Sequence, residues 1–368
     1  MLKNHSKLNF IVRWDKIKEK TWSGTSYSLF LSLQKFFNIH EIQLINIPIW
    51  KKILLRIFIG KDLGRYDLLK NRKDITRNLN ISNQKNIVFQ FTDIIKDSEN
   101  TNTFVYQDMS VSYIKYMYKR TPERIANSEF DNIPIENIEK REQMEKEYFN
   151  TCSGIFTMGE WYKKFLIEKC QIEPSKVHHV GGGVNIRKDY IDYSQKQGNK
   201  ILFIGRNFKR KGGDLVYKAF TILKKSFPEC ELHVAGPIKN PINTPINGYY
   251  FHGDCTKEMI SALFNKCDIF CMPSYFEAYG LVFIEALTYG LPCIGRNAYE
   301  MPYFIKDNVT GYLIENDDEI LLAKKMNDLL KNQEIMQNVR NNKEHYIHEY
   351  SWDTVAEKIK HIINQTSI

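Results

Sequence analysis

The sequence predicts an α/β chain of two domains, each a doubly wound parallel sheet with helices on both faces. Three observations carry that expectation. The chain has 368 residues, more than one hydrophobic core of the usual ~100 to 200 residues accommodates. Short apolar runs alternate with helical patterns along its length, the order of strand and helix that builds a parallel sheet. Near the middle a glycine cluster, Gly181, Gly182 and Gly183 before Val184 and Asn185, interrupts the alternation, which then restarts. The boundary is placed at this cluster, with an N-terminal domain over 1–182 and a C-terminal domain over 183–350.

In the first half, strands are expected over 9–14, 40–47, 86–92, 103–107 and 154–158. A loop through Ser23, Gly24 and Thr25 follows the first of them, with a helix from about Ser26. In the second half, strands are expected over 200–205, 231–236, 249–253, 268–273 and 292–295. A last helix, over 351–363, starts behind the favourable cap Ser351.

Composition fits a globular chain, with 43% hydrophobic and 26% charged residues. Residues 1–10 lack the apolar run of an export signal, and the apolar stretch 53–60 is broken by Arg56 and far shorter than the ~20 residues that span a bilayer. Seven cysteines, at 152, 170, 230, 255, 267, 271 and 293, show no CxxC spacing and read as free buried thiols of a reducing cytoplasm. Cys267, Cys271 and His252 are the nearest approach to a zinc set, but the segment between the cysteines reads as a strand, which favours core packing. The net charge of +9 favours a polyanionic neighbour: nucleotide, nucleic acid or anionic membrane.

Chemistry concentrates in two windows. In residues 273–292, Pro273 and Ser274 end a strand, while Gly290 and Pro292 end a helix that starts near Tyr279. Glu277 then lies in the loop before the helix, and Gly280 lets a phosphate approach the free N–H groups of the helix N-terminus. Glu285 stands about two turns inside, among Leu281, Val282, Ile284, Ala286 and Leu287. A carboxylate in such surroundings needs partners, and ribose hydroxyls are suitable ones. The alternative is that Glu277 is an ordinary loop acid and Glu285 a surface residue. In the second window, 204–214, Arg206 ends a strand and Lys211 starts a helix, so the two could bracket a diphosphate. Lys209 and Arg210 beside them read as solvated.

Together the windows resemble the C-terminal domain of the retaining glycosyltransferases of family four, also called glycosyl transferases group 1, which have the GT-B fold. Gly205-Arg206, Lys211-Gly212, Pro273-Ser274, Glu277, Gly280 and Glu285-Ala286 stand in the order and spacing of that family. The resemblance covers 201–310 strongly and extends to Ser351-Trp352-Asp353, implying that the helix over 351–368 packs back on the first domain. It implies a donor-binding set of Gly24, Arg206, Lys211, Glu277, Tyr279, Gly280, Leu281 and Glu285. Asp108 and Glu277 would be the catalytic carboxylates, facing the reacting carbon of a UDP- or GDP-sugar held in a cleft between two Rossmann-like domains. Two positions depart from the pattern. Trp22-Ser23-Gly24-Thr25 has one glycine where many members have two, and Gly182-Gly183-Val184-Asn185 stands where members often read N-G-V-D. Asp108 has a second reading, as the cap of a helix over 111–118.

The resemblance further implies that the anomeric configuration is retained and that the acceptor is a saccharide or a lipid-linked saccharide. No cofactor and no metal are expected, because Asp317-Asp318 reads as a helix cap and not as a sugar-transferase Asp-x-Asp pair; nor is a nucleic-acid partner. The location implied is cytoplasmic, with peripheral contact at the membrane inner face through 49–61. There Lys51, Lys52, Arg56 and Lys61 flank Trp50, Ile53, Leu54, Ile57 and Phe58, with Lys70, Arg72, Lys73 and Arg77 nearby. The other reading of this helix is that it covers the first sheet. A nicotinamide oxidoreductase is disfavoured by the lack of GxGxxG after the first strand. A nucleotide-sugar epimerase or phosphorylase, or an inactive nucleotide-sugar-binding protein, remains as an alternative.

Overall fold

The computed structural model describes residues 6–66, 69, 71, 87–91, 102–125, 128–186, 188–192 and 198–366. They fall into two compact units. The first comprises the described residues within 1–125, 129–183 and 351–368, and the second is built from 184–350.

The first unit holds a parallel sheet in the order β2-β1-β3-β4-β5-β6. Its strands are β1 (Lys7–Val12), β2 (Asn38–Gln43), β3 (Ile87–Phe91), β4 (Asn102–Gln107), β5 (Gly154–Thr157) and β6 (Val177–His179). Five successive buried residues in β1, from Leu8 to Val12, show a strand covered on both faces, as parallel sheets are. Rings line the middle of the sheet: Phe10 stacks on Phe89 at 5.4 Å, Phe89 on Phe156 at 6.0 Å and Phe156 on Phe104 at 5.4 Å. Helices α1 (Thr25–Gln34), α2 (Ile49–Ile59), α3 (Val111–Arg120), α4 (Ile135–Thr151) and α5 (Glu160–Glu168) join the strands. The terminal helix Trp352–Thr366, whose first turn is capped by Ser351 Oγ accepting from Thr354 N–H at 3.1 Å, belongs to this unit and pairs Asp353 with Lys35 at 2.7 Å.

Two sequence expectations change here, at Asp108 and at α2. The short run before the glycine cluster forms β6, and the ends of the 86–92 strand lie outside the described residues. Asp108 is not the cap of α3. Ser110 is, with extended backbone and its Oγ accepting from Tyr113 N–H at 3.3 Å. Nor does α2 cover the sheet: none of its residues is buried, and Phe58 is 83% exposed. It is held instead by its C-terminus, where the buried Asn137 side chain donates to the carbonyls of Ile59 at 2.8 Å and Lys61 at 2.9 Å. Lys70, Arg72, Lys73 and Arg77 lie outside the described residues.

The second unit holds a parallel sheet in the order β12-β11-β10-β7-β8-β9. Its strands are β7 (Lys200–Ile204), β8 (Glu231–Ala235), β9 (Tyr249–Gly253), β10 (Ile269–Cys271), β11 (Cys293–Arg296) and β12 (Gly311–Ile314), the last not expected from sequence. Its helices include α6 (Gly213–Ser226), α7 (Lys257–Lys266), α8 (Leu281–Thr288) and α9 (Glu319–Lys331). Asp318 caps α9 by accepting from the N–H groups of Ile320 and Leu321. All seven cysteines are free. Cys271 ends β10 while His252 lies on β9, three strand spacings and so roughly 14 Å across the sheet, and His252 instead meets His233 at 2.9 Å. The zinc set does not assemble.

Behind the end of β4, Glu145 of α4 is 1% exposed and accepts from Val111 N–H at 2.8 Å and Gln107 Nε2 at 3.4 Å, while Tyr162 donates to Gln107 Oε1 at 2.9 Å. Burial pushes its pKa up to about 7, against the opposing pull of Arg141 and the backbone N–H groups. A carboxyl that binds its proton more tightly folded than unfolded adds stability that is complete below its ordinary value near 4.5 and is lost as the pH rises through about 7. Glu145→Gln keeps the acceptor for Val111 and removes the titration. The wild-type melting temperature is expected to fall more steeply between pH 5 and pH 8 than that of the variant; parallel profiles would remove Glu145 from the balance.

Candidate active site

In the second unit, the C-terminal ends of β7, β10 and β11 carry the loops that hold the charged side chains. This is the edge at which open parallel sheets place ligands. After β7 the chain turns through residues 205–213 into α6. Gly212 caps that helix at φ +77, where a Cβ would sit 2.6 Å from the Pro273 carbonyl oxygen. Glycine is therefore required both by the left-handed backbone and by the close approach of the neighbouring loop. After β10, residues 273–279 lead into α8, which Gly280 caps at φ +93 and which starts at Leu281, two residues later than the sequence suggests.

Two arginines fix the second loop. Arg296, at the end of β11 and only 5% exposed, donates through Nε to Ser274 O at 3.2 Å and through Nη2 to Pro273 O at 3.3 Å. The same Nη2 meets Asp317 at 2.6 Å, and the guanidinium lies 4.7 Å from the Tyr275 ring centroid. From the opposite loop, Arg210 Nη1 donates to Phe276 O at 2.6 Å and Arg210 O accepts from Tyr275 N–H at 2.9 Å. Arg210 is thus not solvated, as its charge-rich neighbourhood suggested. Tyr299, at the unfavourable φ of +57, adds a hydroxyl that donates to Tyr275 O at 3.2 Å. Sequence reasoning missed Arg296 and Tyr299; the available signal was a charged residue closing the apolar strand Cys293–Arg296.

The clamped loop delivers Glu277 to Lys211. Their side chains form an ion pair and are 13% and 14% exposed. Burial pulls the Lys211 ammonium below its ordinary value, while the Glu277 carboxylate raises it. Glu285 lies eight residues on, in the second turn of α8, and its Oε1 accepts from Asn185 N–H at 3.4 Å. Part of its surface reaches solvent, yet desolvation pushes its pKa up to about 7. Tyr279 is buried, its ring edge-on to Phe304 at 5.0 Å. Arg206 is not gathered with these groups: its side chain is 84% exposed and meets Asp254 at 3.6 Å, a separation and exposure at which an ion pair adds little.

In the first unit, Gly24 caps α1 at φ +95 after two further left-handed residues, Trp22 at φ +47 and Ser23 at φ +59. Ser23 thus adopts the backbone for which a second glycine would be unstrained. Asp108 follows the last residue of β4, half-buried, at the C-terminal edge of that sheet.

The contact between the two loops of the second unit has a measurable consequence. Gly253→Ala meets the left-handed backbone alone, since at φ +72 its Cβ has nothing within 4 Å, and is expected to cost about 1 to 2 kcal/mol. Gly212→Ala adds the collision with Pro273. Its loss in denaturant unfolding is expected to exceed that of Gly253→Ala by at least ~1 kcal/mol, and equal losses would mean that the loops are not in contact as described.

Residues 189–346 match the sequence profile of the family described as Glycosyl transferases group 1. An uncharacterized 41.2 kDa protein in the cps region of Klebsiella pneumoniae is 30% identical over 135 residues, 36% of this chain and 37% of that protein. The GalNAc-alpha-(1->4)-GalNAc-alpha-(1->3)-diNAcBac-PP-undecaprenol alpha-1,4-N-acetyl-D-galactosaminyltransferase of Campylobacter jejuni is 30% identical over 158 residues, 41% of this chain and 44% of that protein. The chain spans 37% to 62% of the length of the first curated relatives it matches. Among solved structures, WaaG, a glycosyltransferase involved in lipopolysaccharide biosynthesis, superimposes with a TM-score of 0.66 at 16% identity over 97% of this chain and 99% of its own. The second unit is thus similar to the glycosyl transferases group 1 family, and the chain carries the two-domain α/β GT-B fold.

Proposed function

We propose that this chain is a retaining glycosyltransferase that moves a hexose-type sugar from a UDP- or GDP-sugar to a saccharide or lipid-linked saccharide. The observation that carries the reading is the Lys211–Glu277 pair, held by a clamped loop at the glycine-capped N-terminus of α8 with Glu285 in the next turns. An ammonium and a row of free helix N–H groups suit a diphosphate. A loop carboxylate in contact with that ammonium suits the sugar next to the diphosphate, and Glu285 suits the ribose diol. Tyr279, Gly280 and Leu281 form the start of the helix that the phosphates would meet, and Arg206 supplies an exposed cation on the same loop as Lys211. In the first unit Gly24 is assigned to the donor and Asp108 to the reacting carbon.

The bond between the anomeric carbon and the leaving phosphate oxygen breaks as the acceptor hydroxyl oxygen bonds the same carbon on the same face. The departing phosphate takes the hydroxyl proton, and the same-face attack retains the configuration. Carboxylates suit the positive charge that develops on the sugar. Lys211 and the helix N-terminus supply countercharge to the leaving diphosphate, so no metal is assigned. The relatives' lipid-linked and lipopolysaccharide associations favour a cytoplasmic enzyme touching the membrane inner face through residues 49–61.

Turnover of labelled UDP- and GDP-sugars, followed in EDTA with and without saccharide acceptors, tests the reading. Transfer to an acceptor is expected, and Lys211→Ala should reduce it on the order of a hundredfold or more. Release of an epimerised donor without acceptor, or transfer within threefold of wild type in the variant, would overturn it.

The Glu285 assignment has its own test. Because its carboxyl titrates near pH 7, more of it is charged at pH 8 than at pH 6, and a charged acceptor holds ribose hydroxyls more tightly. Calorimetry should find that the affinity of wild type for the preferred nucleoside diphosphate gains more over that interval than the affinity of Glu285→Gln. At pH 8 the variant should bind about tenfold or more weakly, for a charge-assisted bond of roughly 1.5 to 3 kcal/mol. Superimposed pH profiles would assign Glu285 to structure.

A further inference from the structure

Helix α2 is amphipathic in the wrong direction for a core element. Wound at ~100° per residue, Ile49, Ile53, Ile57, Trp50, Leu54 and Phe58 fill one continuous arc of roughly half its circumference. All six are exposed, Trp50 by 64%, Ile57 by 71% and Phe58 by 83%. Leu55 and Ile59, on the other side, are the only half-buried members. Cations border the arc on both flanks, Lys51 beside Phe58 and Lys52 with Arg56 beside Ile49. The helix does not stay in place by burying apolar side chains, because Asn137 ties its C-terminal carbonyls to α4.

Along the Lys52 and Arg56 flank lies a cavity of about 460 Å³. Lys52, Arg56 and Lys61 line it with the apolar Leu55, Leu63 and Phe130. Asp62 and Glu129 also line it, so the wall carries one net positive charge. Asp62 Oδ2 accepts from Tyr66 N–H at 3.0 Å and Lys61 Nζ donates to the Asp131 carbonyl, so Arg56 is the cation on which the recess chiefly depends. The combination is an exposed apolar arc, cations along its borders and a largely apolar recess of one net positive charge beside it. That is the chemistry of a bilayer surface, where acyl chains lie below a layer of phosphates.

We propose that α2 lies in the plane of an anionic bilayer with the arc from Ile49 to Phe58 among the acyl chains, and that the adjoining cavity seats the phosphate of one anionic phospholipid. This deepens the membrane contact within the glycosyltransferase reading, on which it rests. A second copy of the chain could cover an apolar face of this kind, but like-charged flanks of Lys51, Lys52 and Arg56 would meet across such an interface.

Cosedimentation with mixed phosphatidylglycerol–phosphatidylcholine vesicles tests the proposal against pure phosphatidylcholine vesicles. Wild type should partition at least tenfold better onto the mixed vesicles at low salt, and Trp50 emission should shift to the blue. Ile57→Ser/Phe58→Ser should abolish both signals without shifting the melting temperature, since these side chains are exposed. Lys51→Gln, removing one flank charge, should weaken partitioning about fivefold or less; Arg56→Gln, removing a charge that also lines the cavity, should weaken it more than tenfold. Equal partitioning onto both vesicles, or no effect of the double serine variant, would overturn the docking. Equal losses in Lys51→Gln and Arg56→Gln would overturn the headgroup seat. A lipid-free dimer in analytical ultracentrifugation that the double serine variant converts to monomer would reassign the arc to self-association. Thermal shift with UDP and GDP separates the two readings, because it should be unchanged in all these variants. Absence of any shift in wild type counts against glycosyl transfer and leaves the vesicle result standing.

Discussion

The carbonyls of Pro273, Ser274 and Phe276 turn away from the β10 ladder at a buried strand end, and the second unit depends on how they are satisfied. A buried carbonyl without a partner costs about 1 to 3 kcal/mol, and three within four residues would let the loop move. Arg296 and Arg210 answer them from two sides, one from the neighbouring strand and one from the neighbouring loop. A guanidinium can do this because its donors are spread over a rigid plane, which an ammonium lacks. Lys211 is consequently left for Glu277. The division of work between arginine and lysine decides which cation is structural and which is available to an anion.

Glycine completes the arrangement at the same edge. The helices α6 and α8 begin at left-handed glycines, Gly212 and Gly280, so neither first turn is closed by a side-chain cap. A serine or aspartate cap would occupy the N–H groups that an anion must reach. The contrast with α3 and α9 is instructive. There Ser110 and Asp318 fill the first turn with their own oxygens, and those helices carry no candidate anion site. Burial adds a second constraint, since Glu145 and Glu285 each sit where desolvation opposes ionisation. Glu145 is occupied by the N-terminus of α3, whereas Glu285 accepts a long bond from Asn185.

Much of this was legible in the sequence, and the exceptions have physical causes. The strands of both sheets announce themselves because a parallel strand is buried on both faces and reads as a continuous apolar run. The strand β12 escaped because four residues opened by a glycine are too short a run to stand out. Glu277, Glu285 and Lys211 could be found because their spacing along one chain reports the loop and helix that present them. Arg296 and Tyr299 could not, because their partners lie over twenty residues away and only the sheet order β12-β11-β10-β7 brings them to the Tyr275 loop. Asp108 shows the limit of local rules. Aspartate is a good cap, but Ser110 stands nearer the first turn of α3 and takes that place.

Periodicity alone could not decide what α2 faces. An apolar arc has the same sequence whether it meets a sheet, a second protein or a bilayer, and the sheet was the natural reading for a chain of this architecture. What decides between them is the set of hydrogen bonds at the other end of the helix. Asn137 ties the carbonyls of Ile59 and Lys61 to α4 while the six large apolar side chains of the arc stay exposed, so packing within the fold does not explain them. Leaving them in water opposes the hydrophobic effect by roughly 1.5 to 3 kcal/mol for each side chain relative to full burial. A sequence that keeps lysine and arginine on both borders while leaving the arc outward is organised around contact with something apolar that carries negative charge at its surface.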